Sequence, residues 1–136
     1  MANEIMKLMN DEIESFTTID TTTLEGRKSL LKISQNEPEF KVNDFIGKQI
    51  TFSEVYMEKV QIEDEVKVGK YVDAIRTVIN TPNGTISATS EGFAKSVMMI
   101  INCLGAPSDW EEEYYFEVRQ IETRKGRRYF KLQLAE

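Results

Sequence analysis

Hydrophobic and polar positions change rhythm several times along this chain, and each change marks an element. The last stretch is the most regular. Phe130, Leu132 and Leu134 alternate with Tyr129, Lys131 and Gln133, a period of two that predicts a strand with one apolar face and one face bearing a ring and a cation. Glu113–Ile121 also reads as a strand, and Glu122-Thr123-Arg124-Lys125-Gly126-Arg127-Arg128 between them as a turn, so the pair predicts a β-hairpin. Upstream, Leu24–Ser34 alternates loosely and reads as a first strand, ended by Asn36-Glu37-Pro38. Phe40–Ile46 reads as a loop or single turn. Gln49–Ile62 reads as one long strand, bent or bulged near Glu54 where the alternation changes phase. Lys70–Thr81 is rich in β-formers and gives a third strand; Pro82-Asn83-Gly84 is a tight turn, and Thr85–Thr89 returns. The period lengthens at Phe93, Ala94, Val97, Met98, Ile100, Ile101 and Leu104, predicting a helix capped by Ser90 or Glu91 and stopped by Gly105. Ile5, Met6, Leu8, Met9, Ile13 and Phe16 suit either a short amphipathic helix or a flexible arm.

The order strand, long strand, strand, helix, strand, strand is that of an OB-fold: a mainly β, five-stranded Greek-key barrel with one helix between strands three and four. The expected division is an N-terminal arm at 1–20 and the barrel at 21–136. Closure would remove exposed edges and let a short chain enclose one core. Phe52, Phe93, Phe116, Phe130 and Trp110 are assigned to that core or its rim.

Composition narrows the chemistry. At 136 residues the chain is one domain, long enough to bury a core without disulfides or metal. Histidine is absent, which excludes Ser-His, Cys-His and His-metal chemistry. The single cysteine, Cys103, lies in an apolar run and reads as a small buried hydrophobe. No apolar stretch is long enough to span a membrane, and the acidic N-terminus lacks a signal-peptide pattern, so a cytoplasmic protein with no membrane partner is expected. The net charge of −6 argues against a non-specific duplex binder. Its distribution points the other way. Between Arg119 and Lys131, the cations Arg119, Arg124, Lys125, Arg127, Arg128 and Lys131 stand against a single acid, Glu122. A basic β surface interleaved with rings suits a polyanion carrying flat bases, which is single-stranded nucleic acid.

Three landmarks follow one another along the chain: Thr23-Leu24-Glu25-Gly26; Asn83-Gly84 followed by Ser87-Ala88-Thr89-Ser90; and Lys125-Gly126 followed by Phe130-Lys131-Leu132-Gln133-Leu134. Over residues 22–134 this resembles the single-stranded DNA-binding proteins of small Bacillus phages that replicate by protein priming, and of related mobile elements. The resemblance implies an OB-like barrel that coats single strands during replication or transfer, in the cytoplasm of a bacterial host, with no cofactor and no enzymatic activity. The chain departs from that family in its longer acidic N-terminus, the Glu111–Glu113 run and the Arg-rich last turn.

Binding bases without sequence preference needs rings to stack on and cations along the backbone. The candidate contacts are Tyr56, Lys59, Lys70, Tyr71, Arg76, Tyr115, Arg119, Arg124, Lys125, Arg127, Arg128, Tyr129 and Lys131, with Tyr114 and Lys67 as further candidates. Each tyrosine has a plainer reading as a half-buried ring with a wet hydroxyl. The basic turn has one as a loop charged for solubility. Glu63-Asp64-Glu65 and Glu111-Glu112-Glu113 read as solvated faces rather than metal sites, since consecutive side chains point apart. Two other functions compete: an OB-fold adaptor that binds a protein partner, and a metal-dependent nuclease using carboxylates such as Asp73 and Glu54. The nuclease lacks a tight acidic constellation with a nearby base. Residues 1–16 are the candidate contact for self-association, and single-stranded RNA is the alternative to DNA as the bound strand.

Overall fold

A computed structural model describes residues 7, 8, 10, 13–64 and 66–135. Strand β1 is Ser15–Thr17. Helix α1, Leu24–Gln35, follows, then β2 at Phe40–Lys41, a 3-10 turn at Val42–Phe45, and β3 at Gln49–Ile50. The long strands β4, Glu54–Glu63, and β5, Tyr71–Thr81, form a hairpin, and β6 is Gly84–Ala88. Helix α2, Glu91–Leu104, and a 3-10 turn at Pro107–Asp109 lead to β7, Phe116–Glu122, and β8, Arg128–Leu134.

The strands form two sheets, one ordered β1-β4-β5-β6-β2 and one ordered β3-β7-β8. All pairings are antiparallel except β2 with β6. The expected five-stranded barrel is therefore corrected: among the described residues no ladder joins the two sheets into a closed cylinder. The outer edge of β8 shows why. The N–H groups of Phe130 and Leu132 donate to the hydroxyls of Ser90 and Ser96, at 3.2 and 2.9 Å. Side chains of α2 satisfy that edge, leaving those groups no strand to pair with.

Leu24–Ser34, expected as the first strand, is α1. Thr23 caps it, its hydroxyl accepting the Gly26 N–H at 3.0 Å. Leu, Glu, Arg, Lys and Gln dominate the segment and Ile33 is its one β-branched residue, so helix propensity outweighs the loose alternation. The single strand expected over Gln49–Ile62 is two. The change of phase near Glu54 is a break at Thr51–Ser53, after which the chain crosses from one sheet to the other.

The main core lies between the sheets and α2. Val55, Met57, Ile75, Ile79 and Ile86 come from the larger sheet; Ile50, Phe116, Val118 and Leu132 from the smaller; Phe93, Ala94, Val97, Met98 and Ile101 from α2. Phe52 is buried there, and Trp110 and Phe130 pack against it, as expected. Leu8, fully buried, joins the same core, with Ile13 and Phe16 packed on it. The remainder of the predicted N-terminal helix lies outside the described residues. On the opposite face of the larger sheet, α1 covers a smaller cluster of Ile33, Tyr56 and Val78. Cys103 is exposed, not buried: it stands four and eight positions beyond Met99 and Lys95, on the solvent side of α2.

Candidate nucleic-acid interface

The β7–β8 hairpin is built around Thr123. Its N–H donates to the Arg127 carbonyl at 2.8 Å, its carbonyl accepts from Gly126 at 3.0 Å, and its hydroxyl accepts the Arg127 N–H at 3.2 Å. Gly126 supplies the left-handed residue of the turn, at φ 76°. This places Arg124 and Lys125 at the tip and starts β8 at Arg128. Along the ribbon, Arg119 is the direct cross-strand partner of Lys131, and Ile121 of Tyr129. Two like charges held opposite each other repel and favour an anion between or above them. Among the described residues none of Arg119, Arg124, Lys125, Arg127, Arg128 and Lys131 is in an ion pair.

The hairpin forms one wall of a cleft of about 840 Å³. The other walls are the end of β6 with the first turn of α2, and the start of the 3-10 turn after β2. Lys41, Lys95, Arg127 and Arg128 bring four cations to it, with Tyr129 and the core-packed Phe130 as its aromatic residues, against one carboxylate, Glu91. That carboxylate already pairs with Lys95 at 3.2 Å. Ile62, from the outer end of β4, also lines the cleft, and its cross-strand partner Val72 adjoins Lys70 and Tyr71. Tyr71, 65% exposed, takes the opposite face of β5 from Val72 and is not among the residues lining the cleft. Lys41 and Lys95 were not legible as site residues in sequence. Both lie far along the chain from the hairpin, and only Lys95, on the polar side of a predicted helix, carried any positional signal.

The remaining candidates stand elsewhere. Tyr56 is corrected as a stacking ring: it is only 9% exposed, beneath α1. Its hydroxyl donates to Glu58 at 2.9 Å, and burial, then that carboxylate, holds its pKa above the usual 10.0. Arg76 is held by Glu58 at 2.8 Å and, on the opposite face of the β4–β5 ladder, Lys59 by Asp73 at 3.3 Å, so both charges meet carboxylates within the chain. A second cleft there, of about 560 Å³, is lined by Glu14, Glu58 and Asp73 against Lys59, the wrong balance for a polyanion. Tyr115 lies past the far end of the ribbon from the basic turn. Its hydroxyl donates to Glu113 at 2.7 Å, which raises its pKa. Tyr114 packs edge-on against Trp110, with ring centroids 5.3 Å apart. Among the described residues there is no group of three or more His, Cys, Asp or Glu placed to hold a metal ion, and no helix long and apolar enough to cross a membrane.

A ring and unpaired cations on a sheet ribbon suit a strand that carries flat bases and phosphates. The family model described as phage single-stranded DNA-binding protein matches residues 9–135, and the chain belongs to that family. It is a single-stranded DNA-binding protein of the phage type, not an enzyme. No curated protein and no solved structure matches the chain.

Proposed function

We propose that the chain coats single-stranded DNA without sequence preference, in the cytoplasm of a bacterial host, with the strand drawn along the β7–β8 ribbon into the cleft at the start of α2. The observation that carries this reading is the cleft itself: Tyr129 with Lys41, Arg127 and Arg128, three cations in no ion pair among the described residues, beside the Lys95–Glu91 pair and continuous with the unpaired basic turn. Arg119, Arg124, Lys125, Arg127, Arg128 and Lys131 meet phosphates, joined by Lys41 and Lys95. Tyr129 receives a base, and Lys70 extends the track past Ile62. Stacking contributes roughly 1–3 kcal/mol per base and every base has a face to offer, hence the lack of sequence preference. Residues 1–16 are the proposed contact between neighbouring copies. Leu8, Ile13 and Phe16 are occupied in their own core, so the contact falls to the rest of that segment.

The test is a polarisation titration of dT oligomers, a matched RNA and a duplex at two salt concentrations. Single strands should bind more tightly than duplex, DNA at least as tightly as RNA, and affinity should fall as salt rises. Equal affinity for duplex, or none for either form, overturns the coating function; tighter RNA binding overturns the choice of DNA.

A further inference from the structure

Tyr129 lies against the first turn of α2. A Cβ placed on Gly92 would collide with the ring at Cδ2 and would stand 3.1 Å from both the Cγ of Tyr129 and the carbonyl oxygen of Phe130. Gly92 has no left-handed backbone to accommodate. Glycine is also among the poorest helix formers. What the position uses is the missing side chain, which lets the ring come down onto the helix.

The backbone beside the ring is fixed from the same turn. The Ser90 hydroxyl accepts the N–H of Phe93 at 3.3 Å, capping α2, and the N–H of Phe130 at 3.2 Å, tying β8 to the helix one residue past Tyr129. The ring is thus seated below and anchored alongside, yet remains 37% exposed. A ring already held in one pose loses little freedom when a base stacks on it, and that favours binding.

We propose that Gly92 is a positioning residue for DNA binding: by withholding a Cβ it seats Tyr129 on α2 as a preformed platform for a base. The inference rests on Tyr129 being a stacking ring, and the experiment separates the two.

Affinities for a dT oligomer are measured at two salt concentrations for Tyr129→Ala, Gly92→Ala and the double variant, with unfolding midpoints alongside. Tyr129→Ala should weaken binding by about 5- to 100-fold, as removal of a stacked base does. Gly92→Ala should weaken it by about three- to tenfold on the same scale, leaving the salt slope unchanged because no cation is altered. In the Tyr129→Ala background, Gly92→Ala should change affinity by less than about twofold, since its route of action is gone. If Tyr129→Ala binds as the parent does, the ring is no platform and the Gly92 inference falls with it. If Tyr129→Ala binds weakly while Gly92→Ala is silent, or its effect persists undiminished in the double variant, the platform stands and the seat is overturned. A Gly92→Ala chain that does not fold shifts the decision to the parent protein. There the NOEs between the Gly92 α-protons and the Tyr129 ring δ-protons, which meet at the Cδ2 edge of the ring, should survive saturation with dT oligomer. Disappearance of those NOEs on binding means that the ring leaves the helix, and overturns the inference.

Discussion

Tyr56 and Tyr129 are both strand tyrosines beside cations, yet one is a core residue and the other a surface. Val55 and Met57 point into the main core, so Tyr56 stands on the other face of β4. What sequence could not show was that α1 would cover that face, because Leu24–Ser34 read as a strand and left nothing to cover it. Burial leaves a titration signature. A phenol whose folded pKa is raised contributes stability that is complete below the unfolded value near 10.0 and is lost as pH rises through the folded value. Thermal midpoints should therefore fall above pH 10. Tyr56→Phe should fall less steeply there, while losing about 1 kcal/mol at neutral pH with its hydrogen bond to Glu58. A parallel alkaline decline in both proteins would detach Tyr56 from that loss. Thr77 supplies a second residue-scale expectation. It is fully buried and its hydroxyl has no hydrogen-bond partner. Thr77→Val removes an unsatisfied group at constant shape and should raise the midpoint by about 3–5 °C in a thermal scan. A lower midpoint would mean that the hydroxyl has a partner after all.

At the scale of elements, what was legible was local. The β7–β8 hairpin, the Pro82-Asn83 turn and α2 each carry their signal within a few residues: alternation around Gly126, a turn dipeptide, a 3.6 period with Ser90 before it and Gly105 after it. The cleft and the open sheets were not legible, because both depend on Ser90 and Ser96 reaching β8 across about 40 residues of chain. Cys103 is a different case: its phase on α2 was readable, and reading the stretch as an apolar run rather than by period misplaced it. Ser90→Ala should show how much the junction matters. It removes a helix cap, about 0.5–2 kcal/mol, and also strips the acceptor from the Phe130 N–H. A combined loss of about 2 kcal/mol should appear in denaturant unfolding, and a loss below about 0.5 kcal/mol would show the junction to be incidental. The basic turn should behave oppositely. Replacing Arg124, Lys125, Arg127 and Arg128 with Ala leaves Thr123 and Gly126 to hold the turn, so the midpoint should hold. Every phosphate left without its cation should flatten the salt dependence of single-strand binding by about 0.7 in log–log slope. An unchanged slope would make these residues solubilising charge.

At the scale of the molecule, two open sheets must be held together by what lies between them, and the N-terminal segment takes part. Leu8 is fully buried in the shared core, and β1 pairs with β4 through Ser15, Phe16 and Thr17. Without β1, β4 would become an exposed edge ten residues long, a template for pairing with other chains. A detachable arm and an integral strand predict different behaviour. Leu8→Ala deletes a buried side chain from the junction, and such changes cost about 2–5 kcal/mol. The thermal midpoint should drop by roughly 10 °C. Affinity for short dT oligomers should be unchanged at temperatures where the variant is folded, because Leu8 is not among the residues lining the cleft. A chain starting at Thr18 loses Leu8 and β1 together and should unfold or aggregate rather than remain a binder with altered assembly. If that truncated chain instead stays monomeric, with the parental midpoint and short-oligomer affinity, the segment is an arm after all. Any loss of cooperativity on long single strands would then belong to contacts between copies.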